Sequence, residues 1–340
     1  VIREKEQFIM KKILAMLLAL VMVLSLAACA STQPAAEPAA SSDAPAESGK
    51  TYTVGVCQLV QHEALDAATQ GFVDALKEAL GDAVTIDVQN ASGDSVNCGT
   101  IVNGFVSKGV DLIMANATPA LTAAVSATAD IPILGTSITA YGVALDIDDF
   151  SGTVGGNVSG TSDLADLQKQ AQMILDWFPE TKTVGLLFCS AEPNSRYQID
   201  EVRKALEAQG VTCEEFAFTD SNDVSSVTQK AADFSDVVYI PTDNTAASNT
   251  EAIANVLIPA GVPAICGEEG LCRGCGVATL SISYYDLGVT TGKMAAKILK
   301  GEANISEMPV EYTDATPKYN ASICDQLGIT PLDGYEAIDG

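Results

Sequence analysis

The sequence predicts two α/β lobes, each built on a parallel sheet wound by helices. Three observations carry this. From Tyr52 onward, strand-like and helix-like segments alternate. The alternation is interrupted once, by the glycine-rich passage GTVGGNVSG (152–160), and then restarts with the same rhythm. The stretch after residue 50 is about 290 residues, which suits two lobes of ordinary size. Strands alternating with helices mean right-handed parallel βαβ units.

The elements follow in order. TVGVCQL is a strand, and Glu63 to Leu80 is a helix with Leu65, Ala68, Phe72, Leu76 and Ala79 at helical spacing. VTIDVQ, a helix near Val96 to Ser107, VDLIMANA, the helix TPALTAAVSATA and the strand IPILGT complete the first set. After the glycine-rich bend come the helix LADLQKQAQMILDWF, the strand KTVGLLFC, the helix YQIDEVRKALEAQG ended by Gly210, and VTCEEFAF. A helix near Asp223 to Ala232, the strand DVVYIP, one helical run to about Pro259, VPAICG and GVATLSI follow. The helix DLGVTTGKMAAKILKG, ended by Gly301, leads into a short extended tail. The alternation shows no short tandem repeat of the solenoid kind.

The N-terminus is of another kind. MKK (Met10–Lys12) precedes the apolar run ILAMLLALVMVLSLAA and then Cys29. Positive residues, an apolar core and small residues before a cut site describe a secretory signal over residues 1–28, with Met10 as an alternative start. The run is too short for a membrane span, which needs about 20 residues. LAAC (Leu26–Cys29) resembles a bacterial lipobox, which makes Cys29 the lipidated first residue after cleavage. Residues 29–50, rich in Ala, Pro, Ser and acids, read as a disordered tether. Anchor, tether and body place the protein outside the cytoplasm, held to the membrane.

A net charge of −26 argues against nucleic acid, since no basic stripe stands ready to neutralise phosphates. It argues equally against charge-driven binding to anionic headgroups. Cys57, Cys189, Cys213 and Cys266 sit in apolar strand runs, as small hydrophobes would. Cys272 and Cys275 form a CxxC, read as a local disulfide or two free thiols. A zinc site would want a second pair or histidines, and His62 is the single His.

In open α/β sheets, ligands bind outside the carboxyl ends of the strands. Six such ends carry short polar groups: Gln58 and His62; Thr118 and Pro119; Ser137 and Thr139; Ser190, Glu192, Asn194 and Ser195; Thr242, Asp243 and Asn244; Glu268 and Glu269. Any one of them reads as a helix cap before it reads as a ligand contact. The set is not explained that way, because Glu268 and Glu269 are poor caps and Gln58 and His62 are not needed to start a helix. Catalysis has little support: no GxSxG elbow stands with His62, and adjacent Glu268 and Glu269 would point apart as an acid/base pair. The glycine-rich passage lacks the Lys-Ser/Thr of a phosphate loop.

QLVQHEALDAATQGFVDAL, ATPALTAAVSAT, DIPIL, AEPNS, YIPTDNT, GEEG and YYDLGVTTGKMAAKILKGE together resemble the substrate-binding lipoproteins of ABC importers of the tryptophan/tyrosine-type family, from about Tyr52 to Ile329. The resemblance implies the type I periplasmic-binding-protein fold, two doubly wound parallel-sheet lobes joined by three crossover strands. The crossings would fall near Val158–Asp163, Ser281–Tyr285 and Pro309–Thr313. Lobe I would hold 51–160 and 283–310, lobe II 161–282 and 311–340. It implies no enzyme activity and no cofactor. The chain would be a monomer that captures an aromatic or other amino acid between its lobes and delivers it to ABC permease subunits. A sensory protein reporting to a membrane receptor is the alternative.

The resemblance also implies roles. Thr118, Ser137 and the N–H groups of the helix after Thr118 would hold a ligand carboxylate. Asp243, Glu269 and Glu192 would hold an ammonium. Gln58, His62 and Leu65 would shape the side-chain end. In YIPTDNT, Thr242 or Asn244 would serve as the cap and Asp243 as the ligand anchor. Two departures from relatives, Ala140-Tyr141 and Arg196-Tyr197, offer Tyr141 or Tyr197 either to stack on a planar ligand or to fill its space.

Overall fold

The computed structural model describes residues 50–338. The expected signal segment, Cys29 and nearly all of the tether lie outside the described residues.

Strand side chains alternate between sheet faces, and here both faces are apolar. In β1 (Tyr52–Gln58) and β3 (Leu112–Asn116), Val54, Val56, Leu112 and Met114 fill one core while Cys57, Ile113 and Ala115 fill another. In β6 (Thr183–Cys189) and β8 (Val237–Ile240), Val184, Leu186, Val237 and Tyr239 face one core, and Leu187, Cys189, Val238 and Ile240 the other. Such strands need helices on both sides.

With β2 (Val84–Asn90), β4 (Ile133–Ile138), β5 (Val158–Ser162) and β11 (Glu311–Tyr312), the first sheet runs β11-β5-β4-β3-β1-β2, and every pairing is parallel. The second uses β7 (Thr212–Phe218), β9 (Ala264–Cys266), β10 (Ala278–Ile282), β12 (Ala315–Tyr319) and β13 (Glu336–Ala337), in the order β13-β12-β10-β9-β8-β6-β7. Only the β10–β12 pairing is antiparallel. The two orders repeat one plan, so β1/β3 and β6/β8 mark equivalent switch points.

The helices are α1 (Glu63–Leu80), α2 (Ser95–Lys108), α3 (Thr118–Ala127), α4 (Tyr141–Ala144), α5 (Leu167–Trp177), α6 (Pro193–Glu207), α7 (Val224–Phe234), α8 (Asn244–Ala247), α9 (Thr250–Ala260), α10 (Glu269–Cys275), α11 (Tyr284–Lys300) and α12 (Ala321–Leu327). The chain crosses between lobes three times: from β5 to α5, from β10 to α11, and from β11 to β12. The first sheet keeps the chain to Ser162 and takes back Glu311–Tyr312. Both crossings therefore fall about two residues later than the sequence boundaries, because β5 and β11 pair with each other.

α11 returns to lobe I and lies on α1 with almost no side chain between them. A Cβ on Gly288 would stand 2.0 Å from the Ala68 carbonyl oxygen, and one on Gly71 would stand 2.1 Å from that of Tyr285. Glycine here serves close backbone approach rather than a turn.

Several local expectations change. α6 begins at Pro193, not Tyr197, since proline suits the first turn. The single helix expected after DVVYIP is broken into α8 and α9, where the Asn249 side chain donates to the Thr245 carbonyl at 2.7 Å. The tail contains α12. All eight cysteines among the described residues are free thiols, Cys272 and Cys275 included. Tyr141 is core: its O–H donates to Thr161 O at 3.2 Å and its ring stacks on Phe150. Tyr197 packs against the lobe II core. Neither tyrosine lines the cleft.

Candidate functional site

The strand ends meet between the lobes, which are closed on each other. His62 Nε2 lies 3.3 Å from Asn244 Oδ1, and the Thr139 and Thr242 hydroxyls are 3.4 Å apart. Farther out, Arg273 of lobe II pairs with Glu63 of lobe I at 3.0 Å. The enclosed cavity is lined by His62, Leu65, Ser137, Thr139, Asp163, Asn194, Thr242, Asp243, Asn244, Ala247, Glu268 and Tyr284, and measures about 10 Å³. That is room for about one water. A wider chamber of about 410 Å³ opens outside it, between Leu59, Val60 and Pro119 on one side and Ala191, Glu192 and Thr245 on the other.

Among the described residues lobe I holds five non-glycine residues at positive φ, two of them at the ends of β3 and β4. Ala117, just before α3, has φ +88°, and Ser137, near the end of β4, has φ +56°. Non-glycine residues held there mark a position the surroundings enforce. The Ser137 hydroxyl is buried and lacks a protein partner. Thr118 is buried at the start of α3 but does not line the cavity, and Pro119 faces the outer chamber.

Lobe II presents carboxylates, and most are already engaged. Asp243 is the cap of α8: Oδ1 accepts from Ala246 N at 2.8 Å and Oδ2 from Cys189 N at 2.6 Å. The cap in YIPTDNT is thus Asp243, not Thr242 or Asn244. Its shorter carboxylate reaches back to the β6 end as well as forward into the helix. Glu192 accepts from the Asn244 amide and side chain at 3.0 and 2.7 Å, and from the Thr245 amide and hydroxyl at 2.9 and 2.8 Å.

Glu268 also caps, contrary to expectation. Its oxygens take Gly270 N at 2.6 Å and Leu271 N at 2.5 Å, because the extended backbone at Glu268 turns the long side chain over the first turn of α10. Glu269 points away from the cavity, to Lys318 at 2.5 Å and Arg273 at 2.9 Å.

The remaining expected residues are placed as follows. Gln58 does not face the cavity. Its amide donates to Val60 O at 2.8 Å and Asp66 Oδ1 at 2.6 Å and accepts from Thr69 Oγ1 at 2.6 Å, bracing the turn from β1 into α1. Ser190 is exposed and donates to Phe218 O. Ser195 is buried beside Asn194 and does not line the cavity. Thr242 is held by Gln198, whose amide donates to its hydroxyl at 2.6 Å. Asn194 donates to Thr242 O at 3.0 Å, and its own Oδ1 has no protein partner.

Asp163 and Tyr284 line the cavity as well, beyond the residues expected from the sequence. Asp163 directly follows β5, is buried, and accepts from the Tyr284 O–H at 2.8 Å through Oδ2, while Oδ1 has no protein partner. Both residues stand at strand ends, after β5 and β10, and the rule that found the other six ends applies to them unchanged.

The electrostatics follow from burial without cations, since no Lys or Arg lines the cavity. Burial pushes Asp163 up from the usual carboxylate range. Burial, then the nearby Glu192 carboxylate, pushes Asp243 up to about 8 against the pull of its two amides. Burial pushes Glu268 up to about 7. His62 is pushed down by burial and is neutral. The arrangement can accept hydrogen bonds from a cationic group, and it has no base–nucleophile pair.

Two α/β lobes closed over a small polar cavity at their switch points define a solute-binding protein. The chain belongs to the ABC transporter substrate binding protein family, whose profile matches residues 53–334. It is 32% identical over 283 residues to the tyrosine-binding protein of Clostridioides difficile, covering 82% of this chain and 81% of that one. Among solved structures, an ABC domain from Streptococcus pneumoniae in complex with L-Trp is 32% identical, with a TM-score of 0.80, over 85% of this chain and 100% of that one. CD0873 of Clostridium difficile, a substrate binding protein in its ligand-free, open form, is 34% identical over 85% of this chain and 99% of that one, with a TM-score of 0.65. The lower overlap with the open form, at similar identity, agrees with the closed lobes seen here. The transcription regulator CcpA of Lactococcus lactis, at 14% identity and a TM-score of 0.59, shares the fold alone.

Proposed function

We propose that this substrate-binding protein captures an amino acid, an aromatic one first, in the cavity between its lobes. One observation carries the reading. Ser137 Oγ, Asp163 Oδ1 and Asn194 Oδ1 are buried without protein partners, and all three residues line the same cavity. An unsatisfied buried polar atom costs about 1–3 kcal/mol, so three around one space describe a site kept ready for a ligand. A hydroxyl that can donate and two oxygens that accept suit the carboxylate and ammonium of an amino acid. L-Trp in the pneumococcal relative and the name of the clostridial one support an aromatic side chain. His62 and Leu65 stand at its end, and the outer chamber gives room as the lobes part. The wider role is an importer subunit: a lipid on Cys29 holds the protein outside the cytoplasm, and a hinge motion presents the closed form to the permease.

The test is a thermal-shift screen of the purified protein against amino acids, sugars and nucleosides. A ligand at 100 times its dissociation constant stabilises by about 2.7 kcal/mol. A shift with tryptophan or tyrosine is expected; a shift with sugars alone would overturn the amino-acid reading. Retention of a Cys29→Ala variant on membranes would overturn the anchor.

A further inference from the structure

We propose that Asp163 is the residue that recognises the ligand's amine, so that the site admits only compounds bearing a protonated amine. This rests on the reading above, that an amino acid occupies the cavity.

What sets Asp163 apart from the neighbouring carboxylates is its remaining hydrogen-bonding capacity. A protonated primary amine offers three hydrogen-bond donors, an ionised carboxylate has about four acceptor sites, and the amine is best met where most of those sites remain. Asp243 gives one acceptor site on each oxygen to the Cys189 and Ala246 amides. Glu268 does the same for the Gly270 and Leu271 amides. Glu192 receives the backbone and side-chain donors of Asn244 and Thr245. Glu269 is paired with Lys318 and Arg273 outside the cavity. Among the cavity's carboxylates Asp163 keeps the most acceptor capacity, its Oδ1 making no direct hydrogen bond with the Thr139 hydroxyl nearby, and Asn194 Oδ1 gives a second acceptor from the other lobe.

The placement of Asp163 adds a second consequence. Its backbone N–H donates to Ile138 O at 3.3 Å, which ties it to β4. Its Oδ2 takes the Tyr284 O–H. Asp163 lies on the crossing out of lobe I and Tyr284 on the crossing back, so one carboxylate joins two of the three connections between the lobes. A ligand cation on Oδ1 adds a charge-assisted bond to that junction. The hydroxyl of Tyr284 is a positioning group, acting through Asp163. Neutral compounds and deaminated acids leave Asp163 buried, with no positive charge beside it, and are rejected for that reason.

The test is isothermal titration of the full protein with L-tryptophan and L-tyrosine and with their 2-hydroxy-acid counterparts. The parent is expected to bind an amino acid and to prefer it strongly over the hydroxy acid. Asp163→Asn keeps the shape and removes the charge. It should weaken the amino acid by at least about 100-fold and the hydroxy acid by less than about threefold, erasing the preference. Because the substitution replaces a buried acid with a neutral amide, its melting temperature is expected to match or exceed the parent's. Tyr284→Phe should lower amino-acid affinity about tenfold and hydroxy-acid affinity by less than about threefold, narrowing the preference without erasing it, whereas a purely structural tyrosine would weaken both compounds equally. An Asp163→Asn protein that retains the parental preference overturns the assignment while leaving the amino-acid reading intact. A parent that binds neither amino acid overturns both.

Discussion

Replacing Asp243 with alanine separates two roles that a carboxylate at a strand end can play. In the closed structure it is 1% exposed, and both oxygens hold backbone amides, Cys189 N at the end of β6 and Ala246 N in α8. Asp243→Ala leaves two buried donors without acceptors, at about 1–3 kcal/mol each. Part of that loss is offset, because burial also opposes the charge on Asp243 itself. A net destabilisation of about 2–4 kcal/mol follows. At about 2–4 °C per kcal/mol for chains of this order of size, the ligand-free melting temperature should fall by roughly 4–16 °C. Calorimetry of the ligand-free variant measures this, and titration with an amino acid and its hydroxy-acid counterpart measures the other role. The preference for the amino acid should survive. A melting temperature within about 1 °C of the parent, together with loss of that preference, would refute the cap and make Asp243 the amine anchor.

Other perturbations test other parts of the structure. Gly288→Ala drives a methyl into the Ala68 backbone and cannot be relieved by a rotamer, so urea unfolding should show a loss of about 3 kcal/mol or more; a change too small to resolve would mean the two helices can part. Ser137→Gly relieves the left-handed backbone and removes an unsatisfied hydroxyl. It should raise the ligand-free melting temperature while weakening the ligand about tenfold, a trade between stability and function, and tighter binding would contradict the carboxylate role. The pH profile of the ligand-free protein has a definite sign. Asp163, Asp243 and Glu268 hold their protons above the unfolded range, so the folded state binds more protons and its stability falls from roughly pH 5 to pH 8. Asp87, through Lys108, and Glu215, through Arg196, are held below the usual range, so their contribution is lost only in acid. A melting temperature that rose between roughly pH 5 and pH 8 would contradict the upward shifts.

Strand ends are legible in the sequence where the chemistry is local, and illegible where three-dimensional geometry decides. The alternation of elements was visible because apolar strands need both faces covered, and the six polar ends were visible because strand ends punctuate that alternation. The roles were harder to read. Glu268 ranks low as a cap by residue type, yet an extended backbone lets it span two amides. Glu269 follows it directly, so the chain turns it the other way, toward Lys318 and Arg273. Gln58 sits at the right strand end, but Thr69 and Asp66 one helical turn apart on α1 draw its amide into lobe I. Pro193 was a readable start signal for α6, and Asp163 a readable strand end. What no pattern could supply was which oxygens would remain unpaired once every cap had been served.

The seam between α1 and α11 also governs how the molecule can be made. Lobe I needs α11 and β11, which the chain supplies only after it has built most of lobe II. Lobe II in turn waits for β12. A polypeptide that emerges N-terminus first therefore completes neither half until nearly all of it is available. A cut at residue 310 would leave both halves unfinished: the first without β11, the second without β12, α12 and β13. Two bodies that close on one another share a single act of folding.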